Sequence, residues 1–389
     1  MRLSRTAPNA EAPSVAINDS GAMAAVWSQQ GNVTYNVQGA VNLNGTWTRG
    51  VNLSPAGPSG MRPDVVIDNT GLVTVVWTNG TAIQAAELPP GGIWSQPVAI
   101  SAVGNSATAP QIVVDAGGNV TAMWVRTDTG GATALETADR PAGGGWSGPA
   151  VVAKGTLSGF DLVVNAFGDT AAIWNLGSFT ANTVVYSSDR PAGSAWSRPA
   201  VVAPAARMQG GALIAVAANG DLTACWRTNT EIRTADKPAG GKWSSSVTLY
   251  RNPALTGFPA LAKTSAGDDM VALLTLSGFN NQIRTSVRPA GSGWTPAALL
   301  TGSAVSALDL HAGTTAGGSF VLTWVDDNSF RFESATRTVA TPWAPRTLIG
   351  SGMLLNDFPT DLAVAGNTAV GIWFGIPIQA KVSSLVVLP

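Results

Sequence analysis

The chain has 389 residues, of which 45% are hydrophobic and only 12% charged, and its formal net charge is −1. Lysines and arginines are scattered singly, which excludes the basic stripe that nucleic acid or an anionic membrane surface requires. The single cysteine, Cys225, excludes an intrachain disulfide, and no apolar run reaches the ~18 residues of a membrane-spanning helix.

In chain order, the start Met1 to Arg5 lacks the apolar core of a secretory signal, and the expectation is an exported protein (secreted, periplasmic or cell-surface) whose signal has been removed. Arg2-Leu3-Ser4 precedes Pro13 as Asn52-Leu53-Ser54 precedes Pro63, so the first residues read as an outer strand. Val65 to Ile67 and Ile112 to Val114 are β-branched runs of strand length, and their lack of alternation predicts burial on both faces. Asp68 to Gly71 and Asp115 to Gly118 are tight turns, in which Asp bonds the backbone and Gly accepts positive φ. Val73 to Trp77 and Val120 to Trp124 are second strands, Ala82 to Ala86 a third and Pro97 to Ile100 a fourth. Cys225 lies in the apolar run Leu222 to Trp226 and reads as a small buried residue. The last unit offers Asp361 to Val364, Thr368 to Trp373 and Ile378 to Val382, followed by Leu385 to Leu388, which competes with the N-terminus for the outer position.

Two tryptophan series set the period. The second strands end at Trp27, Trp77, Trp124, Trp174, Trp226, Leu273, Trp324 and Trp373, at intervals of 50, 47, 50, 52, 47, 51 and 49 residues. A later turn carries Trp47, Trp94, Trp146, Trp196, Trp243, Trp294 and Trp343, which completes the 14 tryptophans of the chain. Four short antiparallel strands repeated every ~49 residues predict an all-β, eight-bladed β-propeller, one domain over residues 1–389, closed by the N-terminal strand joining the last blade. Helical repeats are excluded by the Gly, Pro and Thr content within each unit.

The later turn is the best-kept stretch: Thr137-Ala138-Asp139-Arg140-Pro141-Ala142-Gly143-Gly144-Gly145-Trp146-Ser147 returns at Ser188 to Ser197 and at Ala235 to Ser244. Its Ser/Thr, Asp, Gly, Trp order, clearest in Ser187-Ser188-Asp189, Gly193 and Trp196, resembles the Asp-box repeats of sialidase-like and lectin-like bacterial propellers. Three residues, Arg190-Pro191-Ala192, separate Asp from Gly here, where the family turn is shorter. The resemblance implies that Asp caps the hairpin, that Trp packs between strands, and that a carbohydrate or glycoconjugate is the partner. The turn also resembles that of eight-bladed quinoproteins, but Pro141-Ala142 stands where that family prefers Thr-Gly, and no cofactor is expected.

A sialidase would need an arginine cluster and a tyrosine paired with an acid. The three tyrosines, Tyr35, Tyr186 and Tyr250, do not fit, since Tyr35 and Tyr186 fall in third strands, and Arg140, Arg190 and Arg288 belong to the turn on the opposite rim. His311 is the one histidine, no Gly-x-Ser-x-Gly elbow exists, and no Cys/His spacing suits a metal. Asp326-Asp327-Asn328 lacks the EF-hand pattern. A binding rim is expected on the second-to-third-strand loops, with Arg126, Arg227 and the 175–179 loop, and on the crossing loops, with Arg62, Arg207, Arg251 and Asp357. Counting back from each second-strand Trp gives a set at the mouth of the inner strands: Ser14, Asp64, Gln111, Asp161, Leu213, Ala260, His311 and Thr360. The candidate ligand-binding residues are therefore Asp64, Gln111, Asp161, His311, Arg62, Arg126 and Arg227. The leading expectation is a non-catalytic carbohydrate-binding module, with a glycan hydrolase or lyase using Asp64 and Asp161, or a protein-interaction scaffold, as alternatives.

Overall fold

A computed structural model describes residues 1–4, 9–31, 33–54, 58–177, 182–353, 360–375 and 379–387. The fold is an eight-bladed β-propeller, all-β and without helices among the described residues. The chain falls into two compact units, residues 1–155 with 352–385 and residues 156–351 with 386–389.

The first unit holds four blades, each written from inner to outer strand. Blade 1 is Ala10–Ile17, Met23–Gln30, Tyr35–Asn42 and Val51–Asn52. Blade 2 is Gly60–Ile67, Val73–Asn79, Ala82–Leu88 and Val98–Ala99. Blade 3 is Ser106–Val114, Val120–Thr127, Thr133–Arg140 and Ala150–Lys154. Blade 8 is Thr360–Ala365, Thr368–Gly375 and Gln379–Val386. Its outer position is taken by the N-terminus: Leu3 N–H donates to the Ala380 carbonyl, Val382 N–H to that of Met1, and Ala380 N–H to Ser4 Oγ. Residues 385 and 386 continue the third strand, which decides between the two terminal candidates.

The second unit holds the other four. Blade 4 is Leu157–Val164, Thr170–Leu176, Thr183–Arg190 and Ala200–Ala206. Blade 5 is Leu213–Val216, Leu222–Arg227, Glu231–Lys237 and Val247–Arg251. Blade 6 is Leu255–Lys263, Asp269–Ser277, Asn280–Arg288 and Ala298–Leu299. Blade 7 is Ala307–Thr314, Phe320–Asp326, Arg331–Arg337 and Thr347–Ser351.

The core lies between blades. One cluster joins blades 1 and 2 through Val26, Val37, Val75 and Trp77; another joins blades 6 and 7 through Ala272, Ile283, Leu322 and Trp324. All seven second-strand tryptophans are buried, none more than 4% exposed. They are core residues and cannot stack on a sugar. Burial on both faces holds for second strands such as Val73–Asn79 but not for inner ones, where Val66, Val113 and Val163 are only half-buried. A second strand has sheet partners on both edges, whereas an inner strand is paired along one edge only.

In blades 3, 5, 6 and 7 the repeated turn fastens the blade to the one before it. Ser147 Oγ accepts from Asp139 N–H while Ser147 N–H donates to the Asp139 carbonyl, and Ser244 does the same for Asp236. The Ser after Trp therefore closes the hairpin. The acidic side chain takes another part: Asp139 accepts from Thr121 Oγ1 and Asp236 from Thr223 Oγ1, and Asp189 takes both a bond from Ser197 and an ion pair. The basic residue that follows reaches the acid of the preceding blade, as Arg140 to Glu87 (2.9 Å), Lys237 to Asp189 (2.9 Å) and Arg288 to Asp236 (2.6 Å). Two turn tryptophans reach the same way: the indoles of Trp243 and Trp343 donate to Ser187 and Thr285 of the blade before. The Ala in Pro-Ala-Gly is pinned from its own blade, Ala142 N–H by Asn119 and Ala239 N–H by Asp221.

Candidate functional site

Strand register places the mouth set. Ser14 pairs with Val26, Asp64 with Val76, Gln111 with Met123, Asp161 with Ile173, Leu213 with Cys225, Ala260 with Ala272 and His311 with Thr323, in each case the residue before the second-strand Trp or Leu273. In blade 8 that place belongs to Asp361, which pairs with Ile372, and not to Thr360, which pairs with Trp373. The cause is a shorter hairpin: only two residues separate the paired Ala365 and Thr368, where five separate Ile17 and Met23. Counting back from Trp assumed equal turns.

Just before this position the inner strands bulge, between Glu11 and Ser14, Met61 and Asp64, and Leu308 and His311 among others. The bulge residue adopts positive φ even where it is not glycine: Ala12 (48°), Arg62 (51°), Ala109 (54°) and Asp309 (51°). Three of these precede proline, which has no N–H and so suits the unpaired place in a bulged strand. The units opening on Pro carried this signal, but a strand pattern does not reveal a bulge. Left-handed non-glycine residues cost about 1–3 kcal/mol and gather where a surface must hold a set shape.

In the first unit, Asp64 Oδ1 accepts from Ser14 Oγ and Val65 N–H, and Oδ2 from Ile112 N–H, all at 2.9 Å. One carboxylate thus ties blade 2 to blades 1 and 3. Asp361 of blade 8 repeats the device toward blade 1, its Oδ2 accepting from Val15 N–H at 2.9 Å. Burial pushes the Asp64 carboxyl up to about 6; the Ile112 bond opposes the rise, the Asp361 charge adds to it, and the bonds from Ser14 and Val65 oppose it. In the second unit Asp161 Oδ2 accepts from Ile214 N–H of the next blade and Oδ1 from Leu162 N–H. Burial raises this carboxyl to about 6 as well, against both backbone bonds.

The other sequence candidates fall into two groups. Gln111 and His311 are half-buried at the mouth position; His311 Nε2 lies 3.3 Å from Asp309 on its own bulge. Arg62 is exposed, with its N–H bonded to Ser28 Oγ. The two remaining arginines have structural work. Arg126 pairs with Glu136 at 2.6 Å, whose other oxygen accepts from the buried Trp124 indole. Arg227 donates to the carbonyls of Gly257 and Leu255 on blade 6. Asp357 and the end of the 175–179 loop lie outside the described residues. Among the described residues no three His, Cys, Asp or Glu side chains gather to hold a metal ion. Cys225 is buried, which pushes its thiol far above the usual range and makes it inert.

Sequence reasoning missed Phe258. It stands on the blade 6 bulge, two residues before Ala260, and is 65% exposed. Blade 1 has Ala12 two residues before its mouth position, and blade 3 has Ala109.

No protein-family model and no curated protein matches the chain. Among solved structures, the BP39L lectin from Burkholderia pseudomallei is similar in fold: 15% identity, 90% of this chain and 100% of the lectin covered, TM-score 0.60. The polysaccharide lyase Uly1 is also similar, at 11% identity over 90% of this chain and 94% of the lyase, TM-score 0.52. At such identities the likeness is one of fold.

Proposed function

We propose that the protein is a non-catalytic, lectin-like carbohydrate-binding propeller that works outside the cytoplasm. The observation that carries this reading is the engagement of the mouth acids. Asp64 has three bonds from the protein and Asp161 two, and each spans to the inner strand of the next blade. A carboxylate so engaged is a staple for strands, not a base poised over a substrate. The strained bulges keep the mouth surface in one shape, as a preformed ligand site requires. The fold likeness to a lectin supports a glycan as ligand.

A second reading, a glycan lyase or hydrolase, is favoured by one observation: Asp64 and Asp161 each titrate near 6, in the range where a carboxyl can exchange protons at physiological pH. The likeness to a polysaccharide lyase agrees with it. A glycan array followed by a cleavage assay on every hit separates the two. Binding without turnover is the expected result. Turnover abolished by Asp64→Asn or Asp161→Asn would establish the enzyme, and a blank array from folded protein would shift the assignment to a protein partner.

A further inference from the structure

We infer that Phe258 is the stacking platform of a sugar subsite for a neutral pyranoside, a conclusion that rests on the carbohydrate reading. Its ring lies directly over Gly210: a Cβ there would fall 2.2 and 2.4 Å from Phe258 Cε1 and Cδ1. Gly210 itself has φ +88°, and the segment is anchored by the fully buried Asn175 of blade 4, whose amide donates to the Gly210 carbonyl (3.3 Å) and accepts from Ala212 N–H (2.9 Å). On the other side Gly257, with φ +54°, precedes the ring, and Arg227 of blade 5 grips the Gly257 and Leu255 carbonyls at 2.5 and 2.6 Å. Pro259 follows. Two polar side chains from other blades thus hold the main chain beneath and just before an aromatic ring that remains 65% exposed. Exposing an aromatic ring forgoes burial of apolar surface, and fixing it removes entropy that a ligand would otherwise have to remove on binding.

The adjoining polar groups define the ligand class. Gln209, next to Gly210, donates from Nε2 to Asn229 Oδ1 at 2.7 Å, which leaves Gln209 Oε1 as an acceptor and the Asn229 amide as a donor. An exposed aromatic ring over Gly210, with an amide pair beginning at the next residue in the chain, suits the C–H face of a pyranose and its hydroxyls. The Arg227 guanidinium is turned to main-chain carbonyls, so it is not offered to an acidic sugar.

The test is binding of the wild type and variants to an array printed with neutral hexopyranosides and with uronosides, with thermal unfolding of each protein alongside. The subsite predicts hits among neutral hexosides, at least a tenfold loss in Phe258→Ala, retention in Phe258→Trp, and loss in Gly210→Val, whose side chain would displace the ring. Phe279→Ala, at an exposed aromatic on the same blade with 100% exposure, serves as control and should bind as the wild type does. Hits that survive Phe258→Ala, or hits confined to uronosides, would overturn the subsite while leaving a carbohydrate-binding protein. A wild type that binds no glycan would overturn both.

Discussion

Asp64 and Asp161 show how a single carboxylate can serve architecture and make stability depend on pH. Their folded-state values, about 6, lie above the ordinary 3.8, so between those limits the folded chain binds more protons than the unfolded one. Their contribution therefore falls as pH rises through the window from roughly 4 to 6 and is constant above it. One unit corresponds to about 1.4 kcal/mol, which gives at most about 3 kcal/mol for each. Urea unfolding at pH 4.5 and 7 should show this decline, and it should shrink in the Asp64→Asn, Asp161→Asn double variant. An unchanged slope in the variant would refute the assignment. Arg288 is the opposite case. Burial works to lower its pKa, but hydrogen bonds to Asp236 and the charge of Asp269 hold it above its usual value. Arg288→Ala would leave Asp269, itself buried, with Lys263 alone, and should cost about 3 kcal/mol in unfolding free energy. Arg288→Lys should recover part of that loss, because a single ammonium cannot engage both carboxylates as a guanidinium fork does.

At the scale of the strand and turn, the sequence was most legible where a residue type has one physical use. The buried tryptophans, the Asx turns at Asp68 and Asp115, and the Leu3 strand could all be read from pattern. The mouth was legible in seven blades and displaced by one residue in the eighth, because a two-residue hairpin and a five-residue one leave the same Trp at their end. The turn aspartate was legible only in part. A carboxylate two residues before Pro-Ala suits a local bond, such as the one Asp189 takes from Ser197, but its ion pair with Lys237, like that of Asp236 with Arg288, comes from the neighbouring blade, absent from any local window. The corrected account makes its own forecast. Ser147→Ala removes the acceptor for Asp139 N–H and should destabilise by about 1 kcal/mol, less if water replaces it. Thermal unfolding of that variant against Ser147→Thr, which keeps the hydroxyl, checks it. Phe258 was invisible for the reason that an aromatic in a strand pattern is ordinarily core.

For the molecule as a whole, the repeat supplies eight similar blades but not eight similar sites. The mouth position runs through Ser, Asp, Gln and Asp in the first unit and Asp, Leu, Ala and His in the second, and the platform at Phe258 belongs to one blade. Titration of a monovalent glycoside should accordingly give about one site per chain, and a stoichiometry near eight would show that the repeated turn carries the binding instead. The blade 8 junction has a similar test. Leu3 is 1% exposed beneath blades 8 and 1, so Leu3→Ala should lower stability by about 3 kcal/mol, as removal of a buried leucine does elsewhere.

That junction also imposes an order in time. Met1 and Val382 are hydrogen-bonded neighbours separated by 381 positions in the chain. At ribosomal rates of about 5–20 residues per second, the first strand waits roughly 20–75 s before its partner has been made. Throughout that interval Leu3 and the amides beside it are without the strand that covers them in the folded protein. Whatever binds this segment first does so before the strand has a competing partner, and the final blade is completed only when that hold is released.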